Sequence, residues 1–175
     1  MDRSLTGGRD GTVPSRVTTG RYRIVRTLKE AAMRDFVEQA LELLLKHDMA
    51  GFAGLWAEDG VLEFPFAGPG YPKRVEGRDA IREYLRDYPN LLDVREVTAK
   101  TVHETTDPAV VVAEFTVAGV VVATQKPYEL SYIAVITVED GEIRTYRDYW
   151  SPLAAAEVLG GVEELTAAFT GGDRG

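Results

Sequence analysis

A chain of 175 residues, 45% hydrophobic and 27% charged, is long enough to bury one sizeable core and too short for two comfortable domains. Its formal net charge of −8 argues against nucleic acid and against anionic membrane surfaces, since both reward clustered lysine and arginine. The absence of cysteine excludes disulfides, thiolate nucleophiles and zinc–thiolate sites; His47 and His103 stand alone without metal-ligand spacing, so no metal or other cofactor is expected.

Residues 1–22 are rich in Gly, Ser, Thr, Arg and Asp without an apolar period, and read as a flexible tail. They lack an apolar core of signal-peptide length, and no apolar run approaches a bilayer span, so the cytoplasm is the expected compartment. Thr27-Leu28-Lys29-Glu30 has capping-box spacing and predicts the start of a helix. Behind it Met33, Phe36, Val37, Ala40, Leu41, Leu44 and Leu45 recur at helical intervals, with Arg34, Glu38, Glu42 and Lys46 opposite. Asp48 is placed to cap a second, shorter helix carrying Phe52, Leu55 and Trp56, which Asp59-Gly60 ends. Residues 61–66 predict a short strand, and the Gly/Pro-rich run 67–72 a loop that would form a mobile rim of a pocket mouth. Gly77 precedes a third helix, with Ile81, Tyr84, Leu85 and Tyr88 on one side and Pro89 closing it.

From Leu92 onward the apolar period becomes two, predicting strands at about 92–105, 109–123, 128–138 and 142–150, with turns at Asp107-Pro108 and Glu139-Asp140-Gly141-Glu142. A further helix runs from Pro152 to Gly160-Gly161, and a weaker one from Val162 to Phe169. The organisation is thus a tail (1–22), one domain (23–162), and a C-terminal helix and tail (163–175). Helices followed by a long antiparallel meander mean α+β, with helices on one face of the sheet. A strongly bent sheet leaves its concave side as a pocket and its convex side to be covered, and a second copy of the chain is the expected cover.

Tyr146-Arg147-Asp148-Tyr149-Trp150-Ser151-Pro152, Trp56-Ala57-Glu58-Asp59-Gly60-Val61, Glu76-Gly77-Arg78-Asp79-Ala80-Ile81-Arg82 and Glu104-Thr105-Thr106-Asp107-Pro108 stand in an order and spacing that resembles SnoaL-like proteins of the nuclear transport factor 2-like superfamily. The last of them also resembles the phenazine-biosynthesis A/B proteins. The resemblance spans about 27–161 and implies a cone-shaped fold, a curved antiparallel sheet with N-terminal helices enclosing an apolar pocket. That fold hosts isomerases, cyclases, dehydratases, epoxide hydrolases and non-catalytic dimers, so it does not by itself fix a reaction. Ketosteroid isomerases of this fold use a strand carboxylate, a helix tyrosine and a protonated aspartate; the matching positions here are Phe64, Ala40 and Ala134, which removes that mechanism. The glutamate of the phenazine proteins and the acid/base aspartate of SnoaL-type cyclases both match Asp148, while the histidine of the phenazine proteins matches Thr98.

Alternation on the last strand puts Arg144, Tyr146, Asp148 and Trp150 on one face, which in this fold is the pocket face, and Thr145, Arg147 and Tyr149 on the other. A carboxylate among Tyr146, Trp150, Tyr132, Tyr84, Trp56 and Phe64 is poorly solvated, and desolvation raises a carboxyl pKa towards neutrality. Asp148 is therefore the candidate catalytic acid/base. Tyr146, Trp150, Tyr132, Tyr84, Trp56, Phe64, Ala134 and Arg144 are the candidate substrate-binding residues. The competing reading pairs Asp148 with Arg144 or a neighbouring arginine in a purely structural role. Glu63 is expected to point away from the pocket, His103 to be locally hydrogen-bonded, and His47 to complement a helix end. Ser131 and Ser151 lack a histidine base. The leading expectation is a cofactor-free cyclase, isomerase or dehydratase acting on a small hydrophobic molecule, flat and polyketide- or terpenoid-like; the alternative is a non-catalytic ligand-binding or dimeric interaction module.

Overall fold

The computed structural model describes residues 16–68 and 71–170. Twelve elements follow in order among them: α1 (Arg16–Leu45), α2 (Met49–Ala53), β1 (Trp56–Glu63), β2 (Arg74–Glu76), α3 (Arg78–Leu85), α4 (Tyr88–Leu91), β3 (Leu92–Glu104), β4 (Val110–Val121), β5 (Pro127–Glu139), β6 (Glu142–Trp150), α5 (Pro152–Leu159) and α6 (Val162–Thr170). Of the tail expected over residues 1–22, residues 16–22 belong to α1, a correction to that expectation, and residues 1–15 and 171–175 lie outside the described residues.

The apolar stripe of α1 behaves as its spacing predicts: Val37, Ala40 and Leu41 are buried, and Met33, Phe36, Leu44 and Leu45 pack around them. The helix begins at Arg16, however, so Thr27 and Glu30 lie within it and not at its start. Extending an existing helix gains a hydrogen bond per residue fixed, whereas starting a new one is costly, and an i,i+3 polar pair fits either place. Asp48 caps α2 as expected, its side chain accepting from the Gly51 amide at 2.7 Å.

Helix α2 stops at Ala53, and Trp56 already belongs to β1, which contains Asp59-Gly60. Gly60 is needed there for proximity: a Cβ would stand 2.7 Å from the Ile143 carbonyl oxygen and 2.9 Å from the Trp56 ring. Pro89 likewise opens the short α4 instead of closing α3.

The sheet is curved and open, with strand order β2-β1-β6-β5-β4-β3. The meander β3 to β6 is antiparallel, as the period-two pattern implies, and the Asp140-Gly141 turn has both residues at positive φ (52° and 82°), suited to a tight hairpin. Strand β1 pairs parallel with β6, so the sheet is mixed and the expectation of an antiparallel sheet is corrected. Parallel neighbours require a long crossover, and nearly the whole domain intervenes between these two strands.

Inward side chains of β4, β5 and β6 (among them Val111, Val117, Leu130, Ile136 and Ile143) meet Trp56, Ile81 and the α1 stripe in one core. At the end of β6, Ser151 accepts from the Ala154 amide and starts α5, with Pro152 in its first turn. Gly160 (φ 105°) ends α5, and Leu165 of α6 folds back on Ala155 and Ala156. No described helix is long and apolar enough to cross a membrane.

Candidate functional site

The site is organised by the last three inward positions of β6. Tyr146, Asp148 and Trp150 stand opposite Ile136, Ala134 and Tyr132 of β5. The alternation breaks one step earlier: Thr145 pairs with Thr137 but Ile143 with Val138, a bulge that turns Ile143, fully buried, into the core. Arg144 is the extra residue. Its Nη1 donates to Asp59 Oδ1 at 2.6 Å and its Nε lies 3.5 Å from Glu139. It is absent from the cavity walls described next, contrary to the expectation that it faces a pocket, and it does not neutralise Asp148.

Two cavities meet at Asp148. The first, of about 70 Å³, lies towards α5 and is walled by Phe64, Tyr84, Leu85, Tyr88, Leu92, Leu130, Tyr132, Asp148, Trp150, Ala155 and Leu159. The second, of about 80 Å³, lies towards α2 and is walled by Leu44, Met49, Phe52, Trp56, Leu62, Phe64, Leu85, Tyr88, Phe115, Tyr132, Tyr146 and Asp148. Five side chains belong to both: Phe64, Leu85, Tyr88, Tyr132 and Asp148. Asp148 is the only ionisable side chain other than tyrosine in either wall among the described residues. The structure thus brings Tyr84, Tyr132, Tyr146, Trp56, Trp150 and Phe64 together around Asp148. Ala134 is directly across the strand from Asp148 but lines neither cavity.

Asp148 Oδ1 is inaccessible to solvent and has no hydrogen-bond partner, and no ion pair reaches the carboxylate among the described residues. Burial in this apolar wall pushes its carboxyl from 3.8 up to about 7. The surrounding phenols move the same way: burial first, then the charge of Asp148 at Tyr84 and Tyr146 and the neighbouring Tyr88 at Tyr132, holds all three well above the ordinary tyrosine value. All of them stay protonated near neutral pH and serve as hydrogen-bond donors. Ring packing fixes their positions. Tyr132 stacks on Phe115 (centroids 5.2 Å, planes 12° apart), Tyr146 lies against Trp56 (5.5 Å), and Tyr84 against Phe64 (5.3 Å).

The loop after β1 meets α5 beside Trp150. Tyr71 sits edge-on to Trp150 at 5.7 Å and packs, with Leu159, on Ala155, Ala156 and Leu165. The other polar candidates have local duties. Glu63 pairs with Arg74 (2.8 Å), His103 with Glu114 (3.0 Å), and Ser131 with Thr116 (2.9 Å). His47, with a positive φ of 56° past the end of α1, joins its Nε2 to the Val94 carbonyl at 3.0 Å and lies 3.3 Å from Asp93, tying α1 to β3. Among the described residues no three His, Asp or Glu side chains gather closely enough to hold a metal ion.

Sequence reasoning missed Tyr88 as a wall residue. The spacing from Tyr84 was the available signal, since both share the apolar side of the predicted third helix, but that helix ends at Leu85 and Tyr88 enters from α4.

On the convex face an open hollow of about 630 Å³ includes Phe66, Ile133 and Tyr149 in its wall. Phe66 and Ile133 are exposed (63% and 43%), and Phe66 meets Tyr149 edge-on at 5.2 Å.

Residues 37–146 match the SnoaL-like domain family, a segment that stops two residues short of Asp148. An uncharacterised protein of Bacillus subtilis, YesE, is 47% identical over 118 residues, covering 67% of this chain and 80% of the relative. An uncharacterised PhzA/B-like protein of Pseudomonas aeruginosa, PA3332, is 40% identical over 130 residues, 74% of this chain and 92% of the relative. Among solved structures, a candidate isomerase from Bacillus subtilis superposes with a TM-score of 0.72 at 41% identity, covering 76% of this chain and 96% of the other. A candidate polyketide cyclase from Xanthomonas campestris pv. campestris superposes at 0.61 with 21% identity, over 70% and 93%, a likeness of fold.

Proposed function

The chain belongs to the SnoaL-like domain family, a cyclase- and isomerase-like group, and from that premise we propose that it is a cofactor-free enzyme moving a proton on a small hydrophobic metabolite, with Asp148 as its acid/base. One observation carries the reading: the half-buried Asp148 stands in an apolar, aromatic wall with its Oδ1 reached by neither solvent nor any side chain of the described residues. Such a group is costly unless it is protonated or engaged by a ligand. With its pKa near 7 it holds useful amounts of both forms at neutral pH, the condition for accepting and returning a proton.

The ionised carboxylate takes a proton from a carbon beside a carbonyl. The C–H pair becomes a C=C bond and the carbonyl π pair moves onto oxygen, where a protonated phenol lining the cavities stabilises it. Protonated Asp148 then delivers the proton to another carbon (isomerisation), to a departing β-hydroxyl that leaves as water (dehydration), or to the alkoxide formed when the enolate carbon attacks a second carbonyl (cyclisation). Each route regenerates the carboxylate without redox change. An ion-paired Asp148 would have favoured a non-catalytic binding module; Arg144, the nearest arginine in sequence on that strand face, is engaged elsewhere.

The test is deuterium uptake at the α′-carbon (C6) of cyclohex-2-enone in D2O, followed by proton NMR, for the wild type and Asp148→Asn. A loss of about 100-fold or more is expected, the usual worth of a general base. Equal rates in the two proteins, or a wild-type rate no faster than buffer, would contradict the proposal. We also propose that a second copy of the chain covers the convex face, a reading supported by the exposed Phe66 and Ile133 beside Tyr149.

A further inference from the structure

We infer that Tyr88, held by Tyr132, donates the hydrogen bond to the substrate's carbonyl oxygen, and that the substrate is an uncharged carbonyl compound about the size of one six-membered ring; the inference rests on the proton-transfer reading of Asp148. Tyr88 enters from α4 and borders both cavities, at the junction where Asp148 and Tyr132 also stand. Its hydroxyl shares a side-chain hydrogen bond with Tyr132. Two phenols that share one hydrogen bond spend one proton on it and keep the other, and we assign the free proton to Tyr88. The Tyr88 proton is then not spent on Tyr132, and a hydroxyl that already accepts a bond donates a stronger one. Tyr88 and Asp148 are walls of the same two cavities, which places base and donor around the same space.

Charge and volume narrow the ligand. Among the described residues neither wall contains Lys, Arg or His to receive an anion, and an ionised Asp148 would repel one. A cation would pair with Asp148 and hold it ionised, so that it could not return a proton. The lobes of about 70 and 80 Å³ together approach the ~150 Å³ of apolar cavity that accommodates a benzene ring. A fused polycycle, expected from the aromatic residues alone, does not fit.

The probe is cyclohex-2-enone carrying ¹³C at its carbonyl, with its stretching frequency read by isotope-edited infrared difference spectroscopy on the full chain at pH 8. Bound to the wild type, the carbonyl band should shift to lower frequency than in hexane. Tyr88→Phe should abolish most of that shift and weaken binding about tenfold, the worth of one hydrogen bond. Tyr132→Phe, which leaves the Tyr88 proton but removes the group that positions it, should give an intermediate shift, a graded response that loss of folding would not produce. Asp148→Asn should keep the shift and lose deuterium uptake. The bicyclic 1-tetralone should bind at least tenfold more weakly than the monocyclic probe.

An unaltered band in Tyr88→Phe overturns the donor assignment while leaving the role of Asp148 intact. Unchanged deuterium uptake in Asp148→Asn with a lost band in Tyr88→Phe removes the acid/base reading and keeps the donor. Equal or tighter binding of 1-tetralone, or no saturable binding of cyclohex-2-enone, overturns the substrate class.

Discussion

Replacing Asp148 by asparagine keeps the side chain's shape and removes a charge that the apolar wall penalises. The folded carboxyl holds its proton to about pH 7, whereas in the unfolded chain it ionises near 3.8. Between those values the native state binds the proton and the unfolded state does not, so stability is fully present below 3.8 and falls as pH rises through about 7. At 1.36 kcal/mol per pH unit over about three units, the decline approaches about 4 kcal/mol. Asparagine has no such decline, and every other titrating group is common to both proteins. The stability difference, asparagine variant minus wild type, should therefore increase by up to about 4 kcal/mol from pH 4 to pH 8 and level off above. Urea unfolding at half-unit pH intervals measures it. A difference that does not change with pH, or an asparagine variant less stable than the wild type at pH 8, would refute the reasoning.

Gly60→Ala drives a Cβ to 2.7 Å from the Ile143 carbonyl oxygen where β1 meets β6, and should cost about 2–3 kcal/mol in the same assay. Ile133→Lys puts a charge on the convex face proposed as a self-interface; sedimentation velocity should show the wild type at twice the chain mass and the variant at the chain mass, with little change in unfolding midpoint. A wild type that sediments as a single chain would remove that proposal.

Strands β4 to β6 are legible because each buries one face, so the period of two survives in the residues themselves, and the same period picks out Tyr146, Asp148 and Trp150; β3, buried only at Leu92 and Val94, joins them by pairing with β4. It fails at Arg144 because a bulge inserts one residue without a compositional mark, and there an inward aromatic-facing arginine was expected where an exposed ion pair exists. Strand β1 was read partly as helix because Trp56, Ala57, Val61 and Leu62 are all buried, a pattern governed by the parallel partner β6 and the crossing at Gly60, both of them distant in sequence or steric in origin. The three residues of β2, exposed at its ends, offer no period to read. Tyr88 was visible as an apolar-side tyrosine, but its place at the junction depends on the break between α3 and α4. Cavity size was not legible, since the aromatic residues that suggest a roomy pocket also fill it.

The most direct measurement is the titration of the Asp148 carboxyl carbon by NMR, assigned by its disappearance in Asp148→Asn. A midpoint near 7 is the result predicted for a carboxylate without a partner in this wall. A midpoint near 4 would mean that water or a cation solvates the group, and the proton-transfer account would fall with it.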